Sequence, residues 1–121
     1  MPRSRVTPRW GALQRQRAAL LRLLLGGPPL LVGSVYAVLR RCGNPSCHCA
    51  TTPSHRQTLL LSTRRGRRRC QFIRREDEGW VREAWGRYRR CQEAVRQLRT
   101  LQRRELKLLR AQIAWRGVPY E

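Results

Sequence analysis

The stretch Arg41-Cys42-Gly43-Asn44-Pro45-Ser46-Cys47-His48-Cys49-Ala50 gathers three of the five cysteines within eight residues, and His55 follows Cys49 by six. Gly43 and Pro45 lie between the first two cysteines, so the backbone must turn there rather than run as helix or strand. Three thiols and an imidazole on one tight loop suit a tetrahedral Zn2+, because thiolate sulfur and imidazole nitrogen match a borderline-soft cation. The candidate ligands are Cys42, Cys47, Cys49 and His55. His48 fits less well, because cysteines flank it on both sides and one metal seldom takes three successive side chains. The spacing Cys-x4-Cys-x-Cys departs from the usual Cys-x2-Cys knuckle. A loop of reduced thiols without metal, or an oxidised pair, therefore stands as the alternative. A metal here would be structural rather than catalytic, since four protein ligands close its shell and no carboxylate lies nearby in the chain to act as a base.

Catalysis finds little support. The first 75 residues contain no Asp or Glu, and both His lie in the Cys region. No Ser-His-acid set, phosphate-cradling Gly loop or paired carboxylate is visible. Redox chemistry through Cys47 and Cys49, flanked by basic side chains that lower a thiol pKa, is the one enzymatic option. The expectation is a protein that is not an enzyme.

Charge points to a polyanion partner. The chain has 121 residues and a net charge of +20, from 27 basic and seven acidic residues. Only Lys107 is lysine, and every acidic residue falls at or after Glu76. A surface of one sign attracts phosphate and releases counterions on binding. Arginine adds bidentate phosphate contact. The run Arg64-Arg65-Gly66-Arg67-Arg68-Arg69 reads as a hairpin tip whose five arginines repel one another until an anion relieves them. The candidate nucleic-acid contacts are Arg64, Arg65, Arg67, Arg68 and Arg69, joined by Arg40, Arg41 and Arg56 and by Arg74 and Arg75. No Asn or Gln lies among the tip arginines to pair with adenine, so salt-dependent, weakly selective contact with a DNA or RNA backbone is expected. Arginine excess also follows from GC-rich coding, which is the competing account.

The elements that must hold these residues give an α+β chain: an N-terminal helix, a small three-stranded antiparallel sheet with a Cys-rich loop, and a long C-terminal helix. Residues 1–8 read as a disordered basic arm, 9–116 as a single small domain and 117–121 as a frayed tail. Within the domain, 9–25 reads as a helix that buries Leu13, Leu20, Leu21, Leu24 and Leu25 and turns Arg15, Arg17 and Arg22 outward. Gly26-Gly27-Pro28-Pro29 ends it. Residues 33–41 read as a strand delivering Cys42 to the loop. Residues 58–73 read as a hairpin turning at Arg65-Gly66. Leu59 then faces Phe72 and Leu61 faces Cys70, those four sharing the buried face, with Ser62, Arg69 and Gln71 outward. A metal would pin the strand end at Cys42 to the hairpin start near His55 and set the Arg64–Arg69 tip rigidly against the helix.

Residues 76–116 read as one long helix. Its stripe runs through Val81, Trp85, Tyr88, Cys91 or Gln92, Val95, Leu98, Leu101, Leu108 or Leu109, and Ile113. A helix of about 40 residues spans roughly 60 Å, more than a small sheet covers. It must pair with the N-terminal helix, fold back, or meet a second copy in a homodimer. A helical protein–protein interaction or dimerisation module without a nucleic-acid role is thus the alternative function. No apolar run approaches the roughly 20 residues of a membrane span. The odd, clustered cysteines suit a reducing cytoplasm.

Arg41-Cys42-Gly43-x-Pro45-x-Cys47-x-Cys49-Ala50, His55, Leu61-Ser62, Gly66 in a basic hairpin and Tyr88-Arg89-Arg90 resemble an uncharacterised bacterial family, catalogued as a domain of unknown function. Its hallmark is an R-C-G-K-P-x-C-x-C-A box followed by an H-G-P-Y-Y-x-L-S segment. The resemblance covers about residues 30–105 and leaves out the N-terminal helix and the last 15 residues. It implies the order strand, Cys loop, hairpin, long helix, and one site at Cys42, Cys47, Cys49 and His55. Members are often met near transposase genes, which implies a link to mobile elements, and no activity is established for them. Asn44 stands where the family commonly has Lys, and Arg56-Gln57-Thr58-Leu59 replaces the Gly-Pro-aromatic run. The loss of those aromatics counts against a base-stacking surface at that segment of the hairpin.

Overall fold

The computed structural model describes residues 6–53 and 55–120. In chain order these form helix α1 (Val6–Leu25), strand β1 (Ser34–Arg40), a 3-10 turn at His48–Ala50, strands β2 (His55–Arg64) and β3 (Arg67–Ile73), a 3-10 turn at Arg75–Asp77, and helix α2 (Glu78–Arg116). The strands make one antiparallel sheet in the order β1-β2-β3, so the fold is α+β as expected. Helix α1 begins at Val6 rather than at residue 9. Pro8 falls in its first turn, where the missing N–H would have no helical partner anyway. Of the expected basic arm, residues 1–5 lie outside the described residues, as does Glu121 at the other end.

Two compact units divide the stretch expected to be one domain. In Pro28–Arg89, the sheet packs one face on the start of α2. Val35, Leu60, Ile73 and Val81 form its core, with Leu31 and Trp85 packed against them. Trp85 Nε1 donates to the Gly33 carbonyl at 2.8 Å, and the Leu31 N–H donates to the Ala84 carbonyl at 3.1 Å. The Thr58 hydroxyl donates to the Glu78 carboxylate. Gly33 has φ +134°, and a Cβ there would stand 2.6 Å from the Leu61 carbonyl oxygen, so strand β1 can enter the sheet only through glycine.

The hairpin register is the expected one, with Leu59 opposite Phe72 and Leu61 opposite Cys70. The buried face is the other one. Leu60 and Ile73 face α2, whereas Phe72 is 60% exposed and Cys70 is exposed. Leu59-Leu60-Leu61 carries no alternation that could choose a face. As part of the central strand, Thr58, Leu59 and Leu60 are all buried, and the choice fell to α2, which follows β3 and covers the face bearing Ile73.

In the other unit, α1 runs antiparallel to the second half of α2. Gln14 and Arg17 meet Glu105, and the Leu23 carbonyl lies beside Cys91. The α2 stripe follows the expected course with one shift: Ala94 is buried and Val95 is exposed, and Ile113 is exposed too. Arg17 is not on an outward face, and Leu25 is not buried, being 82% exposed. Glu105 is buried in the stripe, and the Arg17 guanidinium is drawn in to pair with it. That pairing explains an arginine on the packed side, because a buried carboxylate needs a cation and donors around it. Among the described residues no helix is long and apolar enough to cross a membrane.

Candidate metal centre and basic surfaces

The loop between β1 and β2 folds on itself through local hydrogen bonds. Gly43 has φ +85°, a left-handed conformation that glycine adopts without steric cost. The Asn44 side-chain oxygen accepts from the Ser46 N–H at 3.0 Å, an Asx turn, and the Cys47 N–H donates to the Asn44 carbonyl at 3.1 Å. One 3-10 turn then brings Cys49 back beside Cys42, whose N–H donates to the Cys49 sulfur at 3.2 Å. Because β1 and β2 are antiparallel and Arg40 pairs with His55, the end of β1 and the start of β2 meet at the same place.

The ligand atoms of Cys42, Cys47, Cys49 and His55 all lie within 4.8 Å of one another. The Cys42 and Cys49 sulfurs are 3.3 Å apart, and so are the Cys47 sulfur and His55 Nε2. A tetrahedral zinc with sulfur at about 2.3 Å sets its ligand atoms roughly 3.8 Å apart, so the donors and their spacing fit such an ion. The four residues could hold a metal. All five cysteines are free thiols, so the oxidised pair is not what the structure contains. His48 Nδ1 stands 3.9 Å from the Cys47 sulfur, outside the converging set of four.

The thiols are unequal. A backbone hydrogen bond from Asn44, and then the Cys49 thiol, lower the Cys42 pKa. The Cys42 N–H pulls the Cys49 pKa down, but burial and its thiol neighbours outweigh it and push the value up. The Cys49 thiol accordingly donates toward the Cys42 sulfur.

The basic residues fall into separate groups. Arg65 and Gly66, with φ 52° and 77°, make a two-residue turn of the mirror-image type that matches strand twist. Arg64 lies opposite Arg67, and Arg64, Arg65, Arg67, Arg68 and Arg69 crowd the tip of the hairpin, Arg68 on one face of the ribbon and Arg67 and Arg69 on the other. Among the described residues no ion pair reaches these five. Arg40, Arg41 and Arg56 are exposed at the other end of the sheet, beside the metal ligands. Arg56 and Arg64 stand eight steps apart along β2, roughly 27 Å. A metal held by these four residues would therefore brace the end of the hairpin opposite the tip, and would not set the tip itself. Arg75 is exposed, and Arg74 is paired with Asp77 at 3.2 Å and with Glu76 at 4.0 Å.

Sequence reasoning missed the open face of the sheet. Tyr36 on β1 and Phe72 on β3 both stand opposite Leu59 on β2, and both are exposed, whereas Leu59 between them is buried. The Tyr36 hydroxyl lies 3.8 Å from the Cys70 sulfur, and that hydrogen bond raises the phenol pKa, as burial also does.

Residues 10–83, more than half of the chain, match the family described as Domain of unknown function (DUF6788). The chain belongs to this family. The match takes in most of α1, which the resemblance of the Cys box left outside, and it ends in the first turns of α2. The four candidate metal ligands and the arginine hairpin all fall inside it. No curated protein and no solved structure matches the chain.

Proposed function

We propose that this protein is a small nucleic-acid-binding accessory protein whose Cys loop holds Zn2+. The observation that carries the reading is the hairpin tip. Five arginines crowd the two-residue turn and the strand ends beside it, with no ion-pair partner among the described residues. Arg65 occupies a left-handed conformation that non-glycine residues seldom take. Like charges directly opposite each other destabilise a hairpin, and phosphate oxygens placed among them would relieve that repulsion. Zinc, when bound, would cross-link the end of β1 to the start of β2 through Cys42, Cys47, Cys49 and His55. Arg40, Arg41 and Arg56 would then be held as a second basic cluster. The link to mobile elements rests on the resemblance of the Cys box alone.

The test joins metal and nucleic acid. Protein purified under reducing conditions is assayed for zinc and for binding to a labelled duplex, beside a Cys47→Ser/Cys49→Ser variant. About one zinc per chain is expected from four closed ligands, lost in the variant. Duplex binding should weaken steeply with salt. A well-folded, metal-free protein with no affinity for duplex or single strand would reject the reading. The chain would then be better described as a helical interaction module. That second reading draws on Leu109, Ile113 and Trp115, exposed near the end of α2. A homodimer through this helix, stable at high salt in gel filtration, would support it.

A further inference from the structure

The sheet has two faces, and among the described residues only one is packed under α2. Val35, Leu60 and Ile73 are packed under α2. On the opposite face, one row of residues runs straight across the three strands: Tyr36, Leu59 and Phe72. Neighbouring strands lie about 4.8 Å apart, so the two aromatic positions stand roughly 10 Å from one another. Phe72 is 60% exposed and Tyr36 38%. Phe72 lies near the end of the edge strand β3, where an exposed ring gains nothing from water, and Cys70 beside it is exposed as well.

Charge frames this row. Side chains alternate along a strand, so Arg40, four residues beyond Tyr36, and Arg68, four residues before Phe72, lie on the same face. The register places Arg40 toward the metal centre and Arg68 toward the hairpin tip, each roughly 13 Å from the aromatic row. No acidic residue occurs on any of the three strands. A second copy of the chain docked on this face would set arginine near arginine. A strand of unpaired nucleotides offers bases for the rings and phosphates for the arginines at either end. Duplex offers only the phosphates, because its bases are already stacked.

We infer that the open face of the sheet, centred on Tyr36 and Phe72, is a stacking platform for unpaired bases, so that the chain takes single-stranded nucleic acid in preference to duplex. This rests on the nucleic-acid reading above and specifies its ligand. The hairpin tip supplies the sequence-independent phosphate contact, and the aromatic row supplies the discrimination between single strand and duplex. The contact between the Tyr36 hydroxyl and the Cys70 sulfur ties the tyrosine side chain to β3 across the central strand.

The experiment titrates the full chain into a fluorescent oligo-dT strand and into a duplex of equal length, both at about 50 mM salt, where phosphate contacts are strong. Wild type is compared with Tyr36→Ala, Phe72→Ala and Phe72→Tyr, and circular dichroism and the thermal midpoint report on folding. Each alanine variant should lose roughly 5-fold to 100-fold in affinity for the single strand, the range seen for one base–aromatic stack. Duplex affinity should stay within about twofold and Phe72→Tyr should bind as wild type, because stacking needs a ring and phosphate contact does not. Equal wild-type affinity for the two polymers would overturn the inference and leave the nucleic-acid reading standing. So would alanine variants that bind single strand as tightly as wild type. Binding to neither polymer would overturn both. A wild-type dimer that the alanine variants dissociate would assign the face to a second copy and refute the platform.

Discussion

Arg65 lets stability and function be read from one substitution. Its φ of 52° places it in the left-handed region, at the first central position of the turn that joins β2 to β3. A non-glycine residue there costs about 1–2 kcal/mol, and Asn is among the few that tolerate it, through local hydrogen bonding. Arg65→Asn should therefore stabilise the hairpin by about 0.5–1 kcal/mol, with relief of charge repulsion adding to it. For a chain of this size that is a rise in thermal midpoint of roughly 2–5 °C. The same change would remove one of the proposed phosphate contacts. If all five tip arginines touch phosphates, they contribute about −4.5 to the slope of log K against log salt on duplex, and the variant should contribute about −3.6. Anisotropy titrations across a salt series measure the slope, and differential scanning calorimetry measures the midpoint. Arg65→Lys serves as control, since it keeps both the charge and the strained conformation. An Arg65→Asn variant that is more stable yet binds with an undiminished slope would refute the role given to the tip. A variant no more stable than wild type would refute the strain argument.

Other outcomes follow from the helices. Glu105 is buried and accepts from Arg17 and Gln14, whereas the Arg17 side chain is 33% exposed. Arg17→Ala strands a buried carboxylate and should cost about 3 kcal/mol, while Glu105→Ala leaves an arginine that can swing into water and should cost about 1–2 kcal/mol. Urea unfolding of both variants and of the double variant gives the coupling, and the reverse order of costs would contradict the burial argument. Asp77 accepts from Trp80 Nε1 and pairs with Arg74, and those contacts lower its pKa. A lowered carboxyl contributes stability that is complete above its unfolded pKa of about 3.9 and is lost as pH falls through the folded value. Asp77→Asn should thus narrow its stability gap to wild type below about pH 4. A gap that is constant with pH in thermal melts would contradict this.

How much of this was legible in the chain differs from element to element. The C-terminal ends of both helices, the β2–β3 turn and the register could be read locally. Gly26-Gly27-Pro28-Pro29 cannot continue a helix, and Arg65-Gly66 sits between two strand-forming runs. The clustering of the candidate metal ligands was legible for the same reason, since Cys42, Cys47, Cys49 and His55 lie close in sequence and a short loop has few ways to keep them apart. The separation of the metal centre from the arginine tip is also implicit in chain order, because β2 begins at His55 and ends at Arg64. It became visible only once the strand was seen to extend over all ten of those residues.

What local pattern could not decide was which partner covers which face. Leu59-Leu60-Leu61 fits either side of a sheet, and the fold of α2 onto Ile73 and Leu60 left Phe72 and Tyr36 in water. Likewise Arg17 reads as a solvent residue until Glu105, 88 positions away, is placed against it. Composition, turns and the Cys spacing follow from covalent neighbours, and the sequence by itself determined them. The burial of one sheet face, the exposure of the aromatic row and the pairing of a buried acid depend on contacts between residues far apart in the chain, and only the tertiary structure decided those.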